Sequence, residues 1–214
     1  MKKIIFVFLA ACVVLAVGCR WVGIRGNGHI KTEDRPISTF TEIDASGAFE
    51  IEWQSGSPAL RITTDENLLS YVESEVSDDT LHLRTHDQIW PTHGIKVSIS
   101  SPTRAAARIR GAVRLTAKQL TGPKFALEAR GASNVSLDGN IDELLADMTG
   151  ASKLGASGLQ TKTAEISTTG AGNAEVAVAE TLKVAITGAG KVTYSGNPTI
   201  EKHITGAGSV RRKD

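Results

Sequence analysis

The sequence predicts an all-β protein folded as a parallel β-solenoid, with coils of about 18–20 residues. The first observation behind this is a repeat: Gly-Ala recurs at Gly111, Gly131, Gly150, Gly170, Gly188 and Gly206, in steps of 20, 19, 20, 18 and 18 residues. The second is what lines up in that frame. Four places after each Gly stand Leu115, Val135, Leu154, Ala174, Val192 and Val210, and two places before it stand Ile109, Ala129, Met148, Thr168, Ile186 and Ile204. Polar residues alternate with these apolar columns, so the period is two and the segments read as strands with one face turned inward. Thirdly, only the short segment 66–76 has helical spacing after the first nineteen residues.

A unit of this length has room for three strands of four or five residues and three tight corners. Such a unit cannot bury its inward face alone, but neighbours stacked ~4.8 Å apart bury a continuous core, and six units make a rod roughly 25–30 Å long. The Gly of each pair supplies a positive φ or a tight corner, and the Ala is expected where the interior is too narrow for larger side chains. An antiparallel sandwich is the other all-β solution. Its strands seldom share one period with identical corner residues.

From the start of the chain, Lys2 and Lys3 precede an apolar run from Ile4 to Val17 that ends at Gly18 and Cys19. Residues 1–18 read as a secretory leader, because the run is short of the ~20 residues that a transmembrane helix needs. The stretch Leu15-Ala16-Val17-Gly18-Cys19 resembles a bacterial lipobox, which implies that Cys19 is lipidated, palmitate included, and becomes the membrane anchor. Ala16 departs from the usual Leu at its place. Arg20 after the cysteine implies, by the same resemblance, the outer membrane of a Gram-negative envelope. Residues 19–35, with Gly23, Gly26 and Gly28, are expected to form a tether.

Short strand candidates follow at Phe40–Ile43, Ala48–Trp53, Leu60–Thr64, Leu81–Arg84 and Ile95–Ile99, with a brief helix or turn over Glu66–Val76. Ser46-Gly47-Ala48 echoes the later corner, so the solenoid is expected to begin here with less regular coils. A single domain over 36–210 results, with regular repeats over 105–210 and a solvated tail over 211–214. Lys202 and Tyr194 break or bulk up the inward pattern, as a terminal coil would to stop further strand addition, and a monomer is expected.

Several runs carry a family resemblance: Arg35-Pro36-Ile37-Ser38-Thr39-Phe40-Thr41-Glu42-Ile43, Gly47-Ala48-Phe49-Glu50-Ile51, Thr64-Asp65-Glu66-Asn67-Leu68-Leu69 and Ile95 to Pro102, followed by the Gly-Ala repeats. Together they resemble the bacterial envelope family called putative auto-transporter adhesin, head GIN domain. The resemblance implies an exported parallel β-solenoid, often lipid-anchored, and brings no catalytic motif with it.

Both cysteines, Cys12 and Cys19, lie at the N-terminus, which excludes a downstream internal disulfide, zinc-thiolate site or cysteine nucleophile. Without residues 1–18 the chain has 22 basic and 23 acidic side chains, a formal net of −1. Its basic residues are scattered apart from Arg211-Arg212-Lys213, so nucleic acid is not the expected partner. His82, His86 and His93 lie within twelve residues, but His82 should point outward from a strand and His86 falls in a loop, so no metal site is assigned. Glu128 and Asp147, stacked with Arg108 before them and Arg130 beside them, read as an outward charge ladder rather than a catalytic pair. Thr149, Thr169, Thr187 and Thr205 read as a hydroxyl ladder. Trp90, in the loop-like stretch Asp87–His93, is the one residue singled out for partner contact, with core or cap packing as the other reading.

The expectation is a lipid-anchored envelope protein that acts as a non-catalytic binding or adhesion module through its solenoid surface, with a glycan or an envelope protein as partner and no cofactor. A structural or signalling element of the envelope is the alternative, and a polysaccharide-active enzyme the third reading, from fold analogy alone.

Overall fold

The computed structural model describes residues 23–213. The leader, Cys19 and the first tether residues lie outside the described residues. The strands are β1 (Ile24–Arg25), β2 (Ile30–Arg35), β3 (Glu42–Gly47), β4 (Phe49–Ser55) and β5 (Ala59–Asp65), then β6 (Val72–Ser77), β7 (Thr80–Thr85), β8 (Ile89–Trp90) and β9 (Ile95–Ser101). The repeat region adds β10 (Ala106–Gly111), β11 (Arg114–Gly131), β12 (Asn134–Gly150), β13 (Lys153–Gly170), β14 (Asn173–Gly188), β15 (Lys191–Ser195), β16 (Thr199–Gly206) and β17 (Ser209–Arg212). Each long strand pairs in parallel with the next, building a solenoid of about five turns.

The corner glycines stack in register from Gly47 through Gly111, Gly131, Gly150, Gly170 and Gly188 to Gly206. All seven have positive φ, and from Gly111 onward a Cβ would sit 2.5–2.7 Å from the carbonyl oxygen of the glycine one coil below. Glycine is therefore required twice over, by the left-handed backbone and by the close approach of two main chains. The expected beginning of the solenoid at Gly47 holds, since β3 stacks under β10 and β4 under β11.

The alanines are placed differently from the expectation. Ala112, Ala132, Ala151, Ala171 and Ala189 are exposed. Their N–H groups donate to the carbonyl of the corner glycine in the previous coil at 2.8–3.0 Å, which turns the methyl group outward. Each of β11 to β14 is one extended stretch of 16–18 residues, and its pairing falls into the three expected segments, as in 114–117, 120–122 and 124–131 of β11. The first break is a register shift after Ala117, Ser136 or Ala156, the second skips one residue, and the third is the Gly-Ala corner.

Inward columns fill the interior, with Leu115, Val135, Leu154, Ala174 and Val192 in one stack and Ile109, Ala129, Met148, Thr168 and Ile186 in another. The wide N-terminal end needs larger plugs. Trp53 is fully buried, stacked on Phe40 at 6.0 Å between ring centres and tilted against Phe125 at 6.3 Å. Its indole N–H donates to Ser101 Oγ at 2.9 Å.

Between β4 and β10 two strands continue the parallel stack, β7 against β3 and β9 against β4, and antiparallel strands are added to them. β5 pairs with both β2 and β9, and β6 forms a hairpin with β7. The segment expected to be a brief helix is a 3-10 helix only over Glu66–Tyr71; Val72 and Val76 belong to β6. Residues 24–35 are not tether, because β1 and β2 have strand partners that satisfy their backbone groups.

At the last coil, Lys202 occupies the stack position above Val184 and is exposed, and Tyr194 packs partly buried against the core.

Candidate functional site

No single cleft dominates the surface. Three regions can contact a partner: the N-terminal end around Trp90, the flat side before the Gly-Ala corner, and the flat side after it.

At the N-terminal end, Trp90 is not in a loose loop. β8 pairs with β1, matching Arg25 with Trp90, and the Trp90 ring lies against Gly23, where a Cβ would fall 2.2 Å from the indole nitrogen. Trp90 remains 37% exposed, and Ile30 at 45% is the other exposed large hydrophobic residue among the described residues.

The platform beneath is tied by Asp65, whose residue is fully buried. Its carboxylate accepts from Gly28 N at 2.7 Å, Thr92 N at 2.8 Å and Thr92 Oγ1 at 2.8 Å. Asn67 adds a second tie, accepting from Asn27 N and donating to Arg25 O. Burial alone would raise the Asp65 pKa. The hydrogen bonds from Thr92 and Gly28 to the ionised form outweigh it and hold the carboxyl below its ordinary value of 3.8.

The sign of the pH effect follows. A depressed folded pKa contributes stability that is fully present above 3.8 and is lost as the pH falls through the lower folded value. We expect the protection of the Gly28 and Thr92 amides, taken relative to their intrinsic exchange rates, to fall in acid below that point. In Asp65→Asn they should exchange fast already at neutral pH. An acid profile unchanged by Asp65→Asn would refute the tie.

On the side before the corner, His82, Asp44, Arg108, Glu128, Asp147 and Ser167 form one outward rank. Two of its charge pairs bridge adjacent coils and a third stays within one coil. Arg108 reaches Glu42 at 3.0 Å, Arg110 reaches Asp44 at 2.8 Å, and Arg130 reaches Glu128 in its own coil at 2.7 Å. A groove of about 330 Å³ runs past Arg108, Glu128, Asp147 and Glu165. Thr149, Thr169, Thr187 and Thr205 are exposed and stack in register beside it.

The three histidines do not converge. His82 Nδ1 stands 3.9 Å from Asp44, His86 bonds Glu73, and His93 shares a hydrogen bond with Thr92. No group of three or more His, Cys, Asp or Glu side chains among the described residues is placed to hold a metal ion.

Sequence reasoning missed one groove altogether. About 380 Å³ in volume, it is lined by Glu52, Thr116, Lys118, Gln119 and Asp138 at the bend where β11 shifts register. Beneath it Arg104, 5% exposed, donates to the carbonyls of Lys118 and Gln119 at 2.6 Å each. Burial lowers its pKa from the ordinary arginine value. Gln119 takes a φ of 54°, and the guanidinium collects the carbonyls that this bend frees. No spacing in the sequence marks Arg104 for this role. Asp65 and Asn67, by contrast, fall inside the run that carried the family resemblance.

Residues 39–198 match the family model described as putative auto-transporter adhesin, head GIN domain. Among solved structures, the chain is similar to a putative adhesin from Bacteroides fragilis, with a TM-score of 0.73 and 21% identity over 89% of this chain and 100% of that one. A putative lipid binding protein from Parabacteroides distasonis matches with a TM-score of 0.56 and 22% identity, over 89% and 99% of the two chains. A putative adhesin from Parabacteroides merdae follows at 0.52 and 19%, over 90% and 99%. At these identities the likeness is one of fold. No curated protein matches the chain. Among the described residues no helix is long and apolar enough to cross a membrane.

Proposed function

We propose, from the premise that the chain belongs to the putative auto-transporter adhesin, head GIN domain family, that it is a lipid-anchored protein of the cell envelope working as a non-catalytic binding or adhesion module. The anchor is the acylated Cys19, and an outer-membrane address follows from Arg20 in the next position. Two or three acyl chains, at about 0.8 kcal/mol for each buried CH₂, hold such a protein on a bilayer. The observation that carries the binding reading is the solenoid surface itself: flat ranks of outward side chains repeated coil after coil offer an extended contact area. Trp90 is the proposed aromatic contact at the N-terminal end, exposed and braced by the Asp65 platform. Rigid, partly exposed aromatics of this kind supply binding area at small entropic cost. The structural or signalling element of the envelope stands as the second reading, because the same ranks suit a permanent envelope partner equally well.

The test is a glycan-array and envelope pull-down screen of the protein beside Trp90→Ala, with Cys19→Ser as the anchoring control. Saturable retention of one ligand, weakened roughly tenfold by Trp90→Ala, is expected. Cys19→Ser should shift the protein from the membrane to the soluble fraction. If Trp90→Ala unfolds the domain rather than weakening the contact, the residue is packing. Silence on glycans with one recurrent envelope protein would favour the second reading.

A further inference from the structure

The side after the Gly-Ala corner carries a rank that no part of the binding reading above uses. Register places Arg114, Asn134, Lys153, Asn173 and Lys191 on successive coils, so cation and amide alternate strictly for five coils. Lys153, Asn173 and Lys191 are exposed, and the two lysines have no ion-pair partner among the described residues, unlike Lys31, Lys124, Lys162 and Lys213. Two neighbouring acids are already engaged. Glu50 is with Arg114 at 3.4 Å, and Glu175 in the adjoining rank is with Lys213 at 3.3 Å.

The surroundings are flat. On one side of the rank stand the exposed alanines, and on the other Thr116, Ser136, Gly155, the paired Glu175 and Thr193. At the N-terminal end the rank opens into a groove of about 440 Å³ lined by His93, Ala112, Arg114, Ala132, Asn134 and the paired Glu50. His93 lies three residues after Trp90 in the chain.

We infer that this rank is the binding track for a linear acidic polysaccharide that carries one anionic group on every second sugar. The inference rests on the binding-module reading and names its ligand class and face. With coils ~4.8 Å apart the cations recur roughly every 10 Å. A nucleic-acid strand presents a phosphate about every 3.4 Å, far denser than this track. Anionic lipids spread over a plane, whereas this is a line one residue wide. An extended two-sugar repeat presents its charges along a line at a comparable interval. Between them lie uncharged sugars whose hydroxyls suit the donor and acceptor of an Asn amide.

The probe is hyaluronan, with one carboxylate on every second sugar, measured against neutral dextran, a single-stranded DNA oligomer and phosphatidylglycerol vesicles. The full chain in neutral detergent is used throughout. Saturable binding to hyaluronan but not to dextran is expected, weakening as salt rises, because the screening length is about 8 Å at physiological ionic strength. Lys153→Gln with Lys191→Gln should weaken it roughly tenfold, at about threefold for each exposed charge. Lys124→Gln with Lys162→Gln, the same charge loss on another side, should change it less than twofold.

No hyaluronan binding, equal losses in both double variants, or tighter binding to DNA or vesicles would overturn the track. A neutral glycan or protein ligand lost in Trp90→Ala but kept in the track variant would overturn it while leaving the binding module standing. Silence towards every probe and every envelope partner would overturn both.

Discussion

Gly150→Val is expected to lower the stability of the protein by about 3 kcal/mol, the combined strain of a β-branched residue at positive φ and a steric clash. Gly150 has φ +102°, and its Cβ would lie 2.5 Å from the carbonyl oxygen of Gly131. That oxygen cannot retreat, because it accepts from Ala151 N at 2.9 Å and belongs to the stack of seven corner glycines. For a chain of this size the thermal midpoint should fall by roughly 6–12 °C, read by circular dichroism. Two other glycines separate the causes. Gly28 has φ +79° with nothing within 4 Å of its Cβ, so Gly28→Ala should show only backbone strain of about 1 kcal/mol. Gly155 has neither positive φ nor a close neighbour, its nearest contact being 3.7 Å, and Gly155→Ala should be neutral or slightly stabilising. Equal losses at all three positions would refute the stacked-corner account.

Trp53→Ala is expected to cost about 3–5 kcal/mol, the usual range for deleting a fully buried large aromatic side chain. The ring closes the interior where the repeat meets the irregular first half. It touches Phe40 and Phe125, and its strand pairs with both β9 and β11. Alanine would leave a hole at the junction and strip Ser101 Oγ of its donor. Trp53→Phe keeps most of the volume and loses the hydrogen bond, so about 1–2 kcal/mol is expected. Denaturant midpoints for the two variants check the order. If Trp53→Ala costs no more than Trp53→Phe, the ring does not plug the junction.

These two residues show unequal legibility. The role of Gly150 could be read from sequence, since identical residues at a fixed step imply a shared corner. The apolar columns were equally plain, because period two and a period near nineteen together pick out the inward columns four and two places before the glycine and four places after it. Trp53 was legible only in part. It stands six places after Gly47 and pairs with Ala117, six places after Gly111, so the corner assigns its inward direction. Its role as a plug was not legible, because Phe40 and Ser101 reach it from outside the columns.

Among candidate contacts, Trp90 was singled out by residue type, but neither its place in β8 nor its support was legible. Asp65 reaches Thr92 and Gly28 across 27 and 37 residues, and only the folded chain brings them together. The direction of the corner alanines was misjudged for a related reason. Small size fits a cramped interior or an exposed turn equally well, and the bond from Ala N–H to a glycine in the coil below decides between them.

By itself the sequence determined the all-β class, the parallel stacking, the coil length and the inward columns, since each follows from a period that repeats along the chain. Counting also places Arg114, Asn134, Lys153, Asn173 and Lys191 in one rank, since each stands three residues after a corner glycine. Tertiary structure alone decided the Asp65 platform and the pairing beyond the bend. The steps between corners vary from 18 to 20 residues. The bends absorb that difference through local register shifts, so neighbours there are set by the hydrogen-bonded ladder and not by counting.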